Sequence, residues 1–153
     1  MLDTVLPDTV SGLLKVVIAD ARSLPRRTYL PYFGDWHCKT KGRCRVCLAG
    51  SVLASTAGLD PDYEVSLDRL AHNLLLKVES LDAMRTGNWS HAFELIFRHP
   101  PAQDLLDDLH ALPTPAHSNF AGWRQFDLHL KSLEALVPKL RAIEDSHHLV
   151  ASL

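Results

Sequence analysis

Apolar residues recur at helical spacing along most of the chain. Val10, Leu13, Leu14, Val17, Ile18 and Ala21 form the first stripe and predict a helix from about Thr9 to Leu24, with Asp8 or Thr9 as cap and Pro25 as stop. The period vanishes between Pro25 and Arg43, where two prolines, two glycines and four aromatics are crowded together. A stretch this long without a period is unusual inside a compact domain. It is therefore either functional or holds a short hairpin turned at Lys39-Thr40-Lys41-Gly42, with Tyr32 to Cys38 as one arm. From about Arg45 to Thr56 the pattern changes again. Val46, Cys47, Leu48, Ala49, Gly50, Val52, Leu53 and Ala54 leave almost no polar face, which predicts a central helix surrounded by others and stopped at Gly58. Cys47, Gly50, Ala54 and Ala57 form a stripe of small side chains that lets a neighbouring backbone approach closely.

Asp60 is placed to cap a new helical start, with Pro61 at its first position. A long helix is predicted from about Ser66 to Arg85, carrying Leu67, Leu70, Ala71, Leu74, Leu75, Val78, Leu81 and Met84, and ended by Gly87. Asn88 caps a short helix with Trp89, Ala92, Phe93, Ile96 and Phe97, terminated by His99-Pro100-Pro101. Gln103 to Leu112 is amphipathic, with Asp104, Asp107 and Asp108 on its solvated face. After the stiff Pro113-Thr114-Pro115 connector, Ser118 or Asn119 caps a last long helix bearing Phe120, Trp123, Phe126, Leu130, Leu133 and Val137. Pro138 is expected to kink or break it, because proline removes a backbone donor and clashes with the preceding turn. Leu140 and Ile143 imply helix beyond, and 146–153, with His147-His148, reads as a fraying tail. The chain has no internal repeat and no second domain. Residues 1–153 read as one mainly α domain: a compact bundle of five to seven helices around a buried central helix, with a basic and aromatic loop or hairpin at 25–43.

Composition alters this picture little. At 153 residues the chain can bury a core without disulfides or metal, and a formal charge of -2 selects neither nucleic acid nor membrane as partner. The distribution is less even: between Arg22 and Arg45 stand seven basic residues and a single acid, Asp35. The N-terminus, MLDTVLPDTVSG, has no basic region of the kind that opens a signal peptide, and no apolar run reaches bilayer length. Three cysteines, an odd number, fit reduced thiols. The expectation is a soluble protein of the cytoplasm with no membrane partner.

Candidate chemistry gathers in Gly34 to Gly58. Cys38, Cys44 and Cys47, with His37 beside them, offer four donors within eleven residues, and a C-x2-C pair entering a helix is a familiar zinc half-site. Against that, adjacent residues such as His37 and Cys38 rarely ligate one metal together, and a second half-site is missing. The alternative makes Cys47 a small core residue, with Cys38 and Cys44 facing each other across the hairpin. A cysteine in the first turn of a helix, flanked by Arg43 and Arg45, also gains thiolate character and opens a nucleophilic reading. His72, His91, His99 and His129 are equally eligible as its base, so none is indicated. No Walker loop, dinucleotide fingerprint or H-E-x-x-H motif is present. Arg26, Arg27, Lys39, Lys41, Arg43 and Arg45 alternate with Tyr29, Tyr32, Phe33 and Trp36. That mixture suits single-stranded nucleic acid, a protein-binding hot spot, or aromatics that pin a loop while solvated bases surround it.

The run Arg43-Cys44-Arg45-Val46-Cys47-Leu48-Ala49-Gly50-Ser51-Val52-Leu53-Ala54 resembles small bacteriophage and prophage proteins with a Cys-x-Val-Cys-Leu-Ala-Gly-Ala-type helix start after a basic turn. Leu81-Asp82-Ala83-Met84-Arg85-Thr86-Gly87 is similar to their Leu-Asp-x-x-Arg-x-Gly segment. The resemblance covers about the middle third of the chain, Ser51 departs from it, and it implies a phage-encoded origin without assigning a catalytic residue. Three functions follow as expectations. The first is a binding protein that inhibits or redirects a bacterial host protein, such as a defence or transcription component, through the basic and aromatic loop. The second is a zinc-stabilised nucleic-acid-binding module, and the third a cysteine-dependent hydrolase or transferase.

Overall fold

The fold is given by a computed structural model that describes residues 2–64 and 66–149. The chain is mainly α, as expected, with six α-helices among the described residues, but it also carries a three-stranded sheet. Helix α1 spans Val10–Ser23. The Thr9 hydroxyl accepts from the Gly12 N–H at 3.1 Å, and the predicted apolar stripe is its buried face. A second, distant cap completes this end. The buried Glu144 carboxylate accepts from the N–H groups of Val10 (2.8 Å) and Ser11 (3.2 Å), so the last helix is tied to the first through donors that a helix start leaves free.

Strands β1 (Tyr29–Pro31), β2 (His37–Thr40) and β3 (Arg43–Val46) form a sheet in the order β1-β3-β2. A hairpin does form here, but with other bounds than expected: the turn is Lys41 (φ 50°) and Gly42 (φ 84°) alone, two consecutive left-handed residues, and the arm before it is His37–Thr40 rather than Tyr32 to Cys38. Strand β1, parallel to β3, was not legible: three residues ending in proline carry no period. The same pairing corrects the central helix. Arg45 and Val46 belong to β3 and Cys47 is the cap, so α2 covers only Leu48–Ala54. It remains the most enclosed helix, with residues 48–53 all buried. At Gly50 its small-residue stripe admits a neighbouring backbone, as expected. A Cβ at Gly50 would lie 1.5 Å from the Trp36 carbonyl oxygen, so the close approach is by the backbone leading into β2 rather than by another helix.

Helix α3 is shorter than predicted, His72–Arg85. Leu67–Arg69 form a single 3-10 turn, and Leu70 is pulled into a bridge with Leu2, whose N–H donates to Arg69 (2.7 Å) and whose carbonyl accepts from Ala71 (2.8 Å). Asp60 caps no helix; its side chain accepts from the Asp62 N–H at 2.8 Å in a local turn. Helix α4, Trp89–Phe97, starts at the expected Asn88 cap and closes on Arg98 (φ 62°). Helix α5 covers Gln103–His110. Helix α6, Trp123–Ser146, begins later than expected, because residues before it pair with the loop after β1. The Phe33 N–H donates to Phe120 (3.1 Å), the Gly122 N–H to Pro31 (2.9 Å), and Tyr32 bridges Ala121. The helix then runs through Pro138 without interruption. That residue is exposed, so water can reach the carbonyl of Glu134 that loses its helical donor. His147 is not mere tail: its Nε2 lies 2.6 Å from Asp108 of α5. Residues 150–153 of the predicted fraying tail lie outside the described residues.

The main core joins all six helices, α5 through Leu105 and Leu109. A small second cluster of Leu24, Tyr29, Cys44 and Val46 lies under the sheet, flanked by Ala54 and Trp123. Among the described residues, no helix is long and apolar enough to cross a membrane.

Candidate binding surface on the basic sheet

Strand register decides which of the candidate side chains meet. Tyr29 pairs with Cys44, Pro31 and His37 each pair with Val46, and the residues of these pairs share the buried face. Cys38 pairs with Arg45, and Lys39 with Cys44. Cys38 and Cys44 are therefore on opposite faces, which corrects the expectation that they face each other. Cys47 sits in the main core at the start of α2, and His37 turns its Nδ1 to the Tyr63 carbonyl at 2.6 Å. The predicted zinc set of His37, Cys38, Cys44 and Cys47 is thus spread over two faces and a core. Among the described residues, no group of three or more histidine, cysteine or acidic side chains is arranged to hold a metal.

The thiols lack the environment a nucleophile needs. Burial pushes Cys44 and Cys47 up to about 11, overriding the backbone N–H groups near Gly50 that favour the Cys47 thiolate. Cys38 is accessible, but donation to the Glu64 carboxylate at 3.4 Å favours its protonated form and raises its pKa. Burial lowers the pKa of His37 despite its bond to Tyr63. The neutral ring then donates from Nδ1 to that carbonyl, and its buried Nε2 has no partner among the described residues.

The six predicted bases divide into two groups. Arg26 reaches Asp127 at 3.0 Å and lies 4.5 Å above the Trp123 ring. Arg45 pairs with Asp35 at 3.5 Å and lies 5.0 Å from the Tyr32 ring, while Lys39 pairs with Asp62. Arg27, Lys41 and Arg43 are exposed and form no ion pair among the described residues. The Cys44 N–H donates to Thr28 at 2.8 Å, which places Arg27 at the same end of the sheet as the Lys41-Gly42-Arg43 tip. This end carries three positive charges without an ion-pair partner among the described residues, on a short, pinned scaffold.

The aromatics are committed to the fold. Tyr29 is buried, and its carbonyl accepts from the Trp123 indole at 3.0 Å. Tyr32 packs on Phe33 with centroids 5.1 Å apart, and Phe33 carries the Arg85 guanidinium at 5.3 Å. Trp36 is half-buried against the main core. Arg85 was missed in the sequence as a structural tie, although it lies in the Leu81–Gly87 segment already singled out. It donates to the Ser118 carbonyl at 2.6 Å and joins α3 to both loops. The Asp60–Glu64 segment beside β2 was also missed, since its sequence signals only a turn. A separate groove of about 640 Å³ between α1 and α6 is lined by apolar residues that include Ile18 and Val137 and by both acids and bases.

No family model matches this chain, and neither a curated protein nor a solved structure matches it.

Proposed function

We propose that this chain is a binding protein whose basic sheet end engages an acidic surface on a partner protein. The observation that carries the reading is the concentration of Arg27, Lys41 and Arg43 at one end of the sheet, without ion pairs among the described residues, while Arg26, Lys39 and Arg45 are neutralised within the fold. Charges held ready in this way steer association and select an oppositely charged partner. The resemblance to phage proteins extends the proposal to a bacterial host protein that is inhibited or redirected on binding. Nucleic acid is the less favoured ligand, because stacking needs free aromatic faces and those of the loop are engaged by Arg45, Arg85 and the core.

The test is capture from host lysate with wild type, an Arg27→Glu/Lys41→Glu/Arg43→Glu variant, and a control variant reversing Lys15, Lys139 and Arg141 on the helical side. The proposal expects the sheet variant alone to lose a salt-sensitive protein partner. Equal recovery by all three chains would refute it, and a ribonuclease-sensitive capture would move the reading to nucleic acid.

A further inference from the structure

We propose that the outer edge of β2 is a strand-addition site for an extended acidic segment of the partner, and that the chain's own Asp60–Glu64 occupies that edge as a stand-in. The inference rests on the acidic-partner reading and specifies how such a partner is held. In the order β1-β3-β2, strand β2 is an edge. A two-residue turn makes Thr40 and Arg43 a hydrogen-bonded pair, so Cys38 and Arg45 are the next one. The N–H and C=O groups of His37 and Lys39 therefore point away from β3. The opposite side of β3 agrees, since Cys44 donates to Thr28 (2.8 Å) and Val46 accepts from Tyr32 (2.9 Å), both toward β1. Among the described residues, neither His37 nor Lys39 makes a backbone hydrogen bond to any segment beyond the hairpin. Such an edge is a template for another strand.

What lies beside it is acidic and makes no backbone-to-backbone hydrogen bond to β2 among the described residues. His37 Nδ1 meets the Tyr63 carbonyl at 2.6 Å, Lys39 pairs with Asp62, and the Cys38 thiol meets Glu64 at 3.4 Å. The segment uses its own backbone locally, with Asp62 N–H on the Asp60 side chain (2.8 Å) and Tyr63 N–H on the Asp60 carbonyl (3.0 Å). Pro61 has no N–H to give. The segment can therefore satisfy the charge of the edge but not its ladder. A partner strand bearing acids, with its backbone groups free, satisfies both. The Lys39–Asp62 pair is exposed and holds the segment weakly, whereas the buried His37 Nδ1 must exchange the Tyr63 carbonyl for an acceptor on the incoming strand.

Fluorescence anisotropy on the full chain tests this, with a labelled peptide alternating glutamate and threonine as probe. Asp62→Asn/Glu64→Gln, which loosens the stand-in, is expected to tighten peptide binding by about tenfold over wild type, and N-methylation of alternate peptide nitrogens to weaken it by about tenfold at unchanged charge. Circular dichroism confirms that the variant is folded. Equal binding of the methylated peptide overturns strand addition while leaving the basic end as the contact. Absence of binding to the loosened variant also overturns it. Equal binding of a lysine-threonine peptide overturns the acidic preference, and with it the reading on which the inference rests.

Discussion

Gly50→Ala isolates the contact that seats the hairpin on α2. On an open helix this change stabilises by about 1 kcal/mol through propensity. Here the new Cβ would stand 1.5 Å from the Trp36 carbonyl oxygen, 2.7 Å from its carbon and 3.0 Å from the Val46 Cβ. Real Cβ contacts essentially never fall below 3.0 Å, so the backbone at Trp36 must retreat by at least the difference between 3.0 and 1.5 Å. Two of these neighbours are main-chain atoms, which cannot swing aside as a side chain does. Overpacking of this kind costs about 3 kcal/mol, which leaves a net loss of about 2 kcal/mol after the propensity gain. Urea unfolding measures it as a lowered midpoint at unchanged slope. Because β2 begins at His37, directly after the displaced residue, amide exchange in 37–40 is expected to accelerate as well. Gly58→Ala is the control: it meets nothing within 4 Å and pays only for its φ of +69°, about 1 kcal/mol. A Gly50→Ala chain as stable as wild type, with hairpin exchange unchanged, would refute the reasoning.

Glu144→Ala strips a buried carboxylate from the Val10 and Ser11 N–H groups and is expected to cost about 2 kcal/mol, read by urea unfolding. Of the three cysteines, only Cys38 is expected to react with a thiol reagent at neutral pH in the native chain; Cys44 and Cys47 should react only after unfolding, as mass mapping of the adduct can establish. His129 is fully buried, and desolvation lowers its pKa from 6.5 to about 4. The unfolded chain therefore binds the proton first. The contribution is intact above pH 6.5 and lost as pH falls toward 4, by about 2 kcal/mol between pH 7 and 5, measured by urea unfolding across that range. Arg27→Glu/Lys41→Glu/Arg43→Glu should leave stability within about 1 kcal/mol of wild type, since these side chains are exposed and unpaired among the described residues.

The helices were readable where one apolar face meets one core. Val10 to Ala21 and Trp89 to Phe97 have clean periods and local caps at Thr9 and Asn88, and both appear as predicted. Errors fell where distant segments claim residues that the local pattern assigns to a helix. Val46 fits a helical run, yet its carbonyl accepts from the Tyr32 N–H. Phe120 fits the start of α6, yet its carbonyl accepts from Phe33. Leu70 fits α3, yet Leu2 pairs with it. These hydrogen bonds span long sequence separations and leave no trace in local periodicity.

The candidate surface was legible as composition, not as geometry. The same ten basic and aromatic residues were visible, but not the division that leaves Arg27, Lys41 and Arg43 without ion pairs among the described residues while Asp127, Asp62 and Asp35 neutralise the others. Nor could spacing alone place Cys38 and Cys44 on opposite faces, because a shift of one residue in register reverses the answer.

Site-specific photo-cross-linking tests the central claim most directly. A photoreactive residue replacing Arg43 at the sheet tip is compared with one replacing Asp107 on the solvated face of α5, each in the full chain and with partner present. A cross-link is expected from position 43 to an acidic segment of the partner, weakened by salt and absent at position 107. Cross-links of equal yield from both positions, or from 107 alone, would contradict it.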